Sequence, residues 1–275
     1  MKSTLFLKHI ALPQDHGSWV FLFSPLIIGL LAGGAWRTDT LLLILAAVCA
    51  FLIRQPLTTA VKVYSGRRSR RDLPAARLWT AVYALAGGGA LALLLLHGHT
   101  YLLYLAALAI PVFIWHLYLV SKRAERRQAG VEILATGILA LSAPAAYWMG
   151  HGWPDWRGFL LWGLLWLQSA ASIVYAYLRL EQRAWKEKPA AAVRWQAGRH
   201  SLIYTSVNVL LVFLAGQTDW VSPWLFLAYA IQWGETLWGI HHPAIQARPV
   251  TIGTRQLIVS ALFSAVFATL WLAFP

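Results

Sequence analysis

The sequence predicts an all-α polytopic membrane protein with about nine transmembrane helices, the N-terminus cytoplasmic and the C-terminus outside. Three observations carry this. Hydrophobic residues make up 59% of the chain and charged residues 12%, against about 25% charged in a soluble domain. Nine apolar stretches, each near the roughly 20 residues a spanning helix needs, are separated by short polar breaks. Basic residues alternate between those breaks. With the N-terminus inside, 20 of the 23 Lys and Arg fall on the cytoplasmic side, as the positive-inside rule requires. Sixteen Trp and ten Tyr suit a protein with two lipid–water interfaces. The positive charge is therefore explained by topology and says nothing for nucleic acid. No long soluble segment occurs, so residues 1–275 are expected to form a single transmembrane domain.

The expected spans run 17–35, 40–62, 77–97, 101–121, 129–149, 157–179, 200–217, 223–241 and 255–273. No cleavable signal is evident, because Pro13 to His16 interrupt the apolar stretch before it begins. The first span opens at Asp15-His16-Gly17-Ser18-Trp19. Asp15 is placed to cap the helix. His16 and Trp19 would stand at the cytoplasmic face, either as interfacial residues or at the mouth of a site.

The second span is the unusual one. Arg54 lies well inside it, four residues from Thr58 and eight from Lys62, so the three share a helix face. Pro56 cannot donate to the helix ladder and crowds the carbonyl of Leu52, which predicts a kink. An intramembrane cation faces a protein interior or a wet cavity. Arg54 thus either meets a phosphate or carboxylate, or pairs with an acid at similar depth. Glu132, three residues into the fifth span, and Glu235, in the eighth, are the candidates. Lys62 and Tyr64 follow at the helix end, then the loop Arg67, Arg68, Arg70 and Arg71. These arginines either cradle a diphosphate or orient the protein and touch anionic lipid heads, worth about 1 kcal/mol per basic residue.

The remaining spans add less. His116, Glu132, Gln232 and Glu235 all fall in the inner half, which argues for a cavity open to the cytoplasm. The sixth span ends in Arg179, Glu181 and Arg183. Glu181 and Glu187 lack ligand spacing, the nine His form no i, i+4 pair within one span, and no Cys-x-x-Cys-His occurs, so no metal or haem is expected. Cys49 is the single cysteine and cannot form an intramolecular disulfide. Gly29 with Gly33, Gly87 to Gly89, and Ala135 with Gly137 and Ala140 read as close helix packing.

The opening Leu12-Pro13-Gln14-Asp15-His16-Gly17-Ser18-Trp19, followed by Ser24-Pro25 and Gly29, resembles the start of the YwiC-like family of bacterial membrane proteins. Arg54-x-Pro56-Leu57, with its arginine-rich loop, and Ala143-Pro144 fit the same family. The resemblance implies a multi-pass protein of the bacterial cytoplasmic (inner, plasma) membrane. A more distant similarity is to the UbiA superfamily of intramembrane prenyltransferases. It implies a UbiA-like bundle of nine helices around a cytoplasm-facing cavity. That family holds magnesium with Asp clusters after the second and sixth helices. Here those places read Lys62 to Arg68 and Tyr175 to Arg183. Arginine cannot ligate a cation but holds phosphate directly and bidentately. Hence no cofactor is expected, and magnesium would lack its usual ligands.

Together these features lead to an expectation. The protein binds an anionic, phosphorylated or lipid-linked ligand in a cationic cavity, as a diverged UbiA-like prenyl or lipid transferase. The alternative is a non-catalytic carrier, transporter or assembly factor. The ligand-binding candidates are His16, Trp19, Arg54, Lys62, Tyr64, Arg67, Arg68, Glu132, Arg179, Arg183 and Glu235. Membrane lipids, among them an isoprenoid or other phosphorylated lipid, are the expected partners.

Overall fold

The computed structural model describes residues 7–13, 17–34, 36–124 and 128–273, and no strand occurs among them. The helices divide into two compact units, Met1–Gly158 and Phe159–Pro275.

Unit 1 begins with a single turn, α1 (Lys8–Ala11), followed by α2 (Ser18–Gly33) and α3 (Thr38–Leu52). The chain then turns at Ile53 and continues as α4 (Arg54–Tyr64). A 3-10 turn at Arg70–Asp72 leads into α5 (Leu73–Leu96), with Pro74 in its first turn, where a missing N–H costs nothing. Next come α6 (Leu102–Ser121), α7 (Ala129–Ala140) and α8 (Ser142–His151), the last two separated only by Leu141. Each break lies three residues before a proline, Ile53 before Pro56 and Leu141 before Pro144. Neither proline has an N–H for the carbonyl four residues back, on Leu52 or Ala140.

Close backbone packing holds α2 to α8. A Cβ on Gly29 would lie 2.3 Å from the Ala143 carbonyl oxygen, and one on Gly150 would lie 2.3 Å from the Gly33 carbonyl oxygen. Only glycine permits that approach. At Gly87 an added Cβ would meet the Cys49 Cβ at 2.7 Å, which brings α5 against α3. The short α1 is pinned by Ile10 against Ala75 and Ala76. Gln55 Nε2 donates to the His9 carbonyl at 3.0 Å, and Tyr83 Oη to that of Ala11 at 3.0 Å.

Unit 2 comprises α9 (Trp156–Gln182), whose first turn precedes the unit boundary, α10 (Ala191–Gln217), α11 (Phe226–His241) and α12 (Pro249–Leu272). Helices α9 and α11 run parallel. Their hydrogen-bonded pairs Leu164–Tyr229, Ser172–Gln232, Tyr175–Glu235 and Arg179–Gly239 keep a nearly constant offset in sequence.

Among the described residues, seven helical segments are long and apolar enough to cross a membrane: Thr38–Tyr64, Arg70–Leu96, Leu102–Ser121, Ala129–His151, Trp156–Gln182, Ala191–Gln217 and Pro249–Leu272. The expected count was nine. The other two expected spans correspond to α2 and α11, which have 16 residues each. At 1.5 Å per residue they are about 24 Å long, shorter than a bilayer core of about 30 Å. The seventh expected span, 200–217, is longer than anticipated, because α10 starts at Ala191, just after Pro189.

Candidate functional site

A cavity of about 470 Å³ lies in unit 1, walled by α2 to α8. That volume falls within the roughly 300–1,000 Å³ usual for ligand pockets. Its lining is graded. At one end stand Leu43, Leu94 and Leu102, and further along Ala106, Ala109 and Ile110. At the other end stand Arg54, His116 and Tyr83. Along α6 the lining runs from Leu102 to His116, about 21 Å of helix axis. Both proline breaks face this space, through Ile53 and Arg54 on one side and Leu141 and Ser142 on the other.

Packing fixes the place of Arg54. Its guanidinium carbon is 5.6 Å from the Phe51 ring centroid. Trp19 meets the same ring edge-on at 4.9 Å and stacks on Phe23 at 5.7 Å. Trp19 thus supports the wall that carries Arg54 and does not itself line the cavity. One turn beyond Arg54, the Thr58 hydroxyl is buried with no hydrogen-bond partner among the described residues.

The arginine loop is tied to the scaffold. Arg67 donates through Nη2 to the Val120 carbonyl at the C-terminal end of α6, and through Nε to Ser65 Oγ at 3.3 Å. Arg68 lies 3.5 Å from Asp72. The exposed Tyr64 accepts from Arg77 Nη2 at 2.9 Å. Lys62 lies in the last turn of α4, and Glu132 in the first turn of α7, where its charge suits the helix dipole. His16 is outside the described residues.

The opposite end of unit 1 is closed by a polar clamp. Asp39 Oδ1 is 2.7 Å from His97 Nδ1, and Asp39 Oδ2 is 2.9 Å from His99 Nε2. His99 also meets Tyr101, whose ring stands edge-on to buried Trp148 at 5.8 Å. Trp148 Nε1 donates to Asp155 Oδ1 at 3.1 Å, and the same carboxylate oxygen accepts the Gly158 N–H at 3.0 Å, capping α9. Exposed Trp36, Trp153 and Trp156 cluster near this end, as aromatic residues do at a membrane interface.

Unit 2 holds a second polar cluster. Glu235 accepts from Arg255 on both oxygens, Nε at 2.5 Å and Nη2 at 2.8 Å. Tyr175 Oη donates to Glu235 Oε1 at 2.7 Å. Gly239 makes room for that phenol, since a Cβ there would lie 2.5 Å from Tyr175 Oη. Arg179 is buried. Its Nη1 donates to Gln182 Oε1 and to the carbonyls of Gly239 and His242, and so caps the C-terminal end of α11. Gln182 reinforces the cap through Nε2 to Gly239 O. Arg183 Nε donates to the Ala247 carbonyl at 2.7 Å. The two arginines therefore hold the turn after α11, which is what their hydrogen bonds show them doing.

Arg255, Tyr175 and Trp238 belong to this cluster and are not among the ligand-binding candidates named from the sequence. The sequence signal for Arg255 is Pro249, which marks a helix start and so places Arg255 six residues inside α12. No described group of three or more His, Cys, Asp or Glu is placed to hold a metal ion.

The family model described as YwiC-like protein matches residues 12–147. The chain is YwiC-like over this segment. Every residue lining the unit 1 cavity, from Leu22 to Ala145, falls inside the YwiC-like segment. The chain is also 25% identical over 262 residues to the uncharacterized protein YwiC of Bacillus subtilis (strain 168), covering 93% of this chain and 95% of that protein. No solved structure matches.

Proposed function

We propose that this YwiC-like membrane protein binds an amphiphilic anion in the unit 1 cavity. Arg54 meets the phosphate or carboxylate head, and the apolar lining takes the tail. The grading of that lining is the observation that carries the reading. A guanidinium, an imidazole and a phenol stand at one end, and the rest is almost wholly apolar, mainly aliphatic side chains with Phe51 and Phe113. A guanidinium binds phosphate bidentately without a divalent ion, so the binding step needs no magnesium. The distribution of Lys and Arg supports placing the Arg54 end toward the cytoplasm. The proposed ligand class is an isoprenoid or other phosphorylated lipid of the bacterial cytoplasmic membrane. A UbiA-like bundle is the arrangement this reading favours, on the resemblance of helix layout.

Mass spectrometry of lipid extracted with the purified protein tests it. A discrete anionic lipid, enriched over the bulk membrane and depleted in Arg54→Ala, is the expected result. Equal enrichment in Arg54→Ala would sink the assignment. Incubation with an isoprenyl diphosphate separates transfer from carriage. Magnesium-dependent turnover marks a transferase, and binding without turnover marks a carrier.

A further inference from the structure

We propose that the loop between α4 and α5 binds the phosphodiester headgroup of an anionic membrane lipid, held by Arg70, Arg71 and Arg77 with Tyr64. The site is separate from the unit 1 cavity, whose lining includes none of these four residues.

Charge and geometry act together here. Residues 64–77 carry five arginines and one acid, Asp72. Two of the arginines are already engaged, Arg67 by the Val120 carbonyl and Ser65, and Arg68 by Asp72. Arg70 and Arg71 are exposed, and neither side chain has a hydrogen bond or ion pair among the described residues. Arg77 is exposed as well. Its Nη2 donates to the Tyr64 phenol at 2.9 Å, and it makes no other hydrogen bond among the described residues.

The backbone that carries these cations is fixed. Gly66 takes φ +71°, which lets the Arg67 N–H donate back to the Lys62 carbonyl at 2.8 Å. Ser65 Oγ donates to the Val61 carbonyl at 2.8 Å. Ser69 Oγ accepts the Arg71 N–H at 3.3 Å, and the Asp72 N–H donates to the Ser69 carbonyl at 3.1 Å. The Arg67 bond to Val120 ties the turn to the end of α6. A loop already ordered loses little freedom on binding. Orientation in a membrane requires only that the cations lie on one side. It does not require them to be held in place without partners.

The adjoining surface favours a lipid over a soluble anion. The loop joins two segments long and apolar enough to cross a membrane, Thr38–Tyr64 and Arg70–Leu96, which places it at headgroup level. Arg70, Pro74, Arg77, Ala81 and Leu85 follow one another at spacings of three or four, so they form one column on the second segment. All five are exposed, Leu85 by 77%. The column is cationic at its start and apolar beyond, over about 12 Å from Arg77 to Leu85. A guanidinium takes two phosphate oxygens at once, and the acyl chain then lies along Ala81 and Leu85. Arg77 stands two turns beyond Arg70 and extends back toward the headgroup, in the direction set by its bond to Tyr64 at the end of α4.

Native mass spectrometry of the full chain, titrated in detergent micelles with phosphatidylglycerol or phosphatidylcholine, tests this. Phosphatidylglycerol is expected to bind more tightly. Arg70→Gln/Arg77→Gln should weaken its binding about thirtyfold, at about 1 kcal/mol per basic residue and tenfold per 1.4 kcal/mol. Lys186→Gln/Lys188→Gln removes the same charge from exposed positions in unit 2 and should leave binding unchanged. Tyr64→Phe keeps every charge and should give a smaller loss, because Arg77 then lacks its anchor. Arg54→Ala should retain the site, which separates this result from the outcome for the cavity. Equal affinity for the two lipids, unchanged binding in Arg70→Gln/Arg77→Gln, or equal loss in the two charge-matched variants overturns the proposal. Loss of phosphatidylglycerol in Arg54→Ala would assign that lipid to the cavity and overturns it too. So does displacement of phosphatidylglycerol by an equal concentration of inorganic phosphate, which would mark a soluble-anion site. If Arg70→Gln/Arg77→Gln does not fold, the native comparison and Tyr64→Phe decide, and unchanged binding in Tyr64→Phe then counts against the site.

Discussion

The Arg255 guanidinium carbon lies 3.3 Å from the centroid of the Trp238 ring, while the same side chain holds both oxygens of Glu235. A cation so placed is fixed on two sides, by a π face and by a carboxylate. Removing either member of the ion pair should therefore cost more than removing both. Breaking a buried pair costs about 3–5 kcal/mol, whereas replacing it with apolar residues is often close to neutral. The half-exposure of Arg255 puts this site toward the lower end. Thermal unfolding in nanodiscs should show Glu235→Leu less stable than the double variant Glu235→Leu/Arg255→Leu. A double variant as damaged as the sum of the singles would show that the pair is uncoupled.

Gly239 is a second lever on the same cluster. Gly239→Ala places a methyl 2.5 Å from Tyr175 Oη and should push the phenol off Glu235. Losing one hydrogen bond to a charged group costs about 1.5–3 kcal/mol. Tyr175→Phe should lower the unfolding midpoint by a similar amount. Combining it with Gly239→Ala should add little, because the phenol is already displaced in the single variant.

Helices α2 and α8 meet backbone to backbone, so Gly29→Ala has no room to relax. Overpacking typically costs about 1–3 kcal/mol. Gly88→Ala, with nothing within 4 Å of the added methyl, serves as the comparison. Equal melting temperatures for the two variants would contradict the packing described here.

Asp155 caps α9 and holds the Trp148 indole with one carboxylate oxygen. Asp155→Ala removes both interactions and should destabilise by about 1–3 kcal/mol. Asp155→Asn keeps an acceptor oxygen and should recover most of the loss. Thermal denaturation of the two variants, side by side, checks this.

Filling the cavity tests its occupant without touching Arg54. Ala109 lines the space, and Ala109→Trp should cut the amount of co-purified anionic lipid while the protein still folds. Unchanged lipid in a folded Ala109→Trp variant would place the ligand elsewhere.

Much of the fold was legible because membrane helices leave strong traces. The apolar runs located every segment, and the proline at position 56 anticipated the break at Ile53. Boundaries were less legible. Helix starts at Leu73, Ala191 and Pro249 lie upstream of the apolar runs, because a helix carries charged turns beyond the lipid-like stretch. That error of a few residues hid Arg255 and, with it, the partner of Glu235. The site was harder still. Arg54 announced itself as a lone cation in a hydrophobic segment, but the Asp39–His97–His99 clamp depends on side chains nearly 60 positions apart. The roles of Arg179 and Arg183 likewise depend on carbonyls about 60 residues later, which periodicity does not reveal.

The close contact at Gly29, Gly33 and Gly150 has a bearing on traffic through the unit 1 cavity. Two helices touching along their main chains behave as one rigid wall and offer no seam between them. Helix α6, by contrast, buries only Leu102, Leu105 and Val120 and is bound to the rest chiefly at its ends, by the clamp near Tyr101 and by Arg67 on Val120. Under the proposed function, entry of a long-chain ligand from the bilayer would pass the middle of α6 and not the seam between α2 and α8.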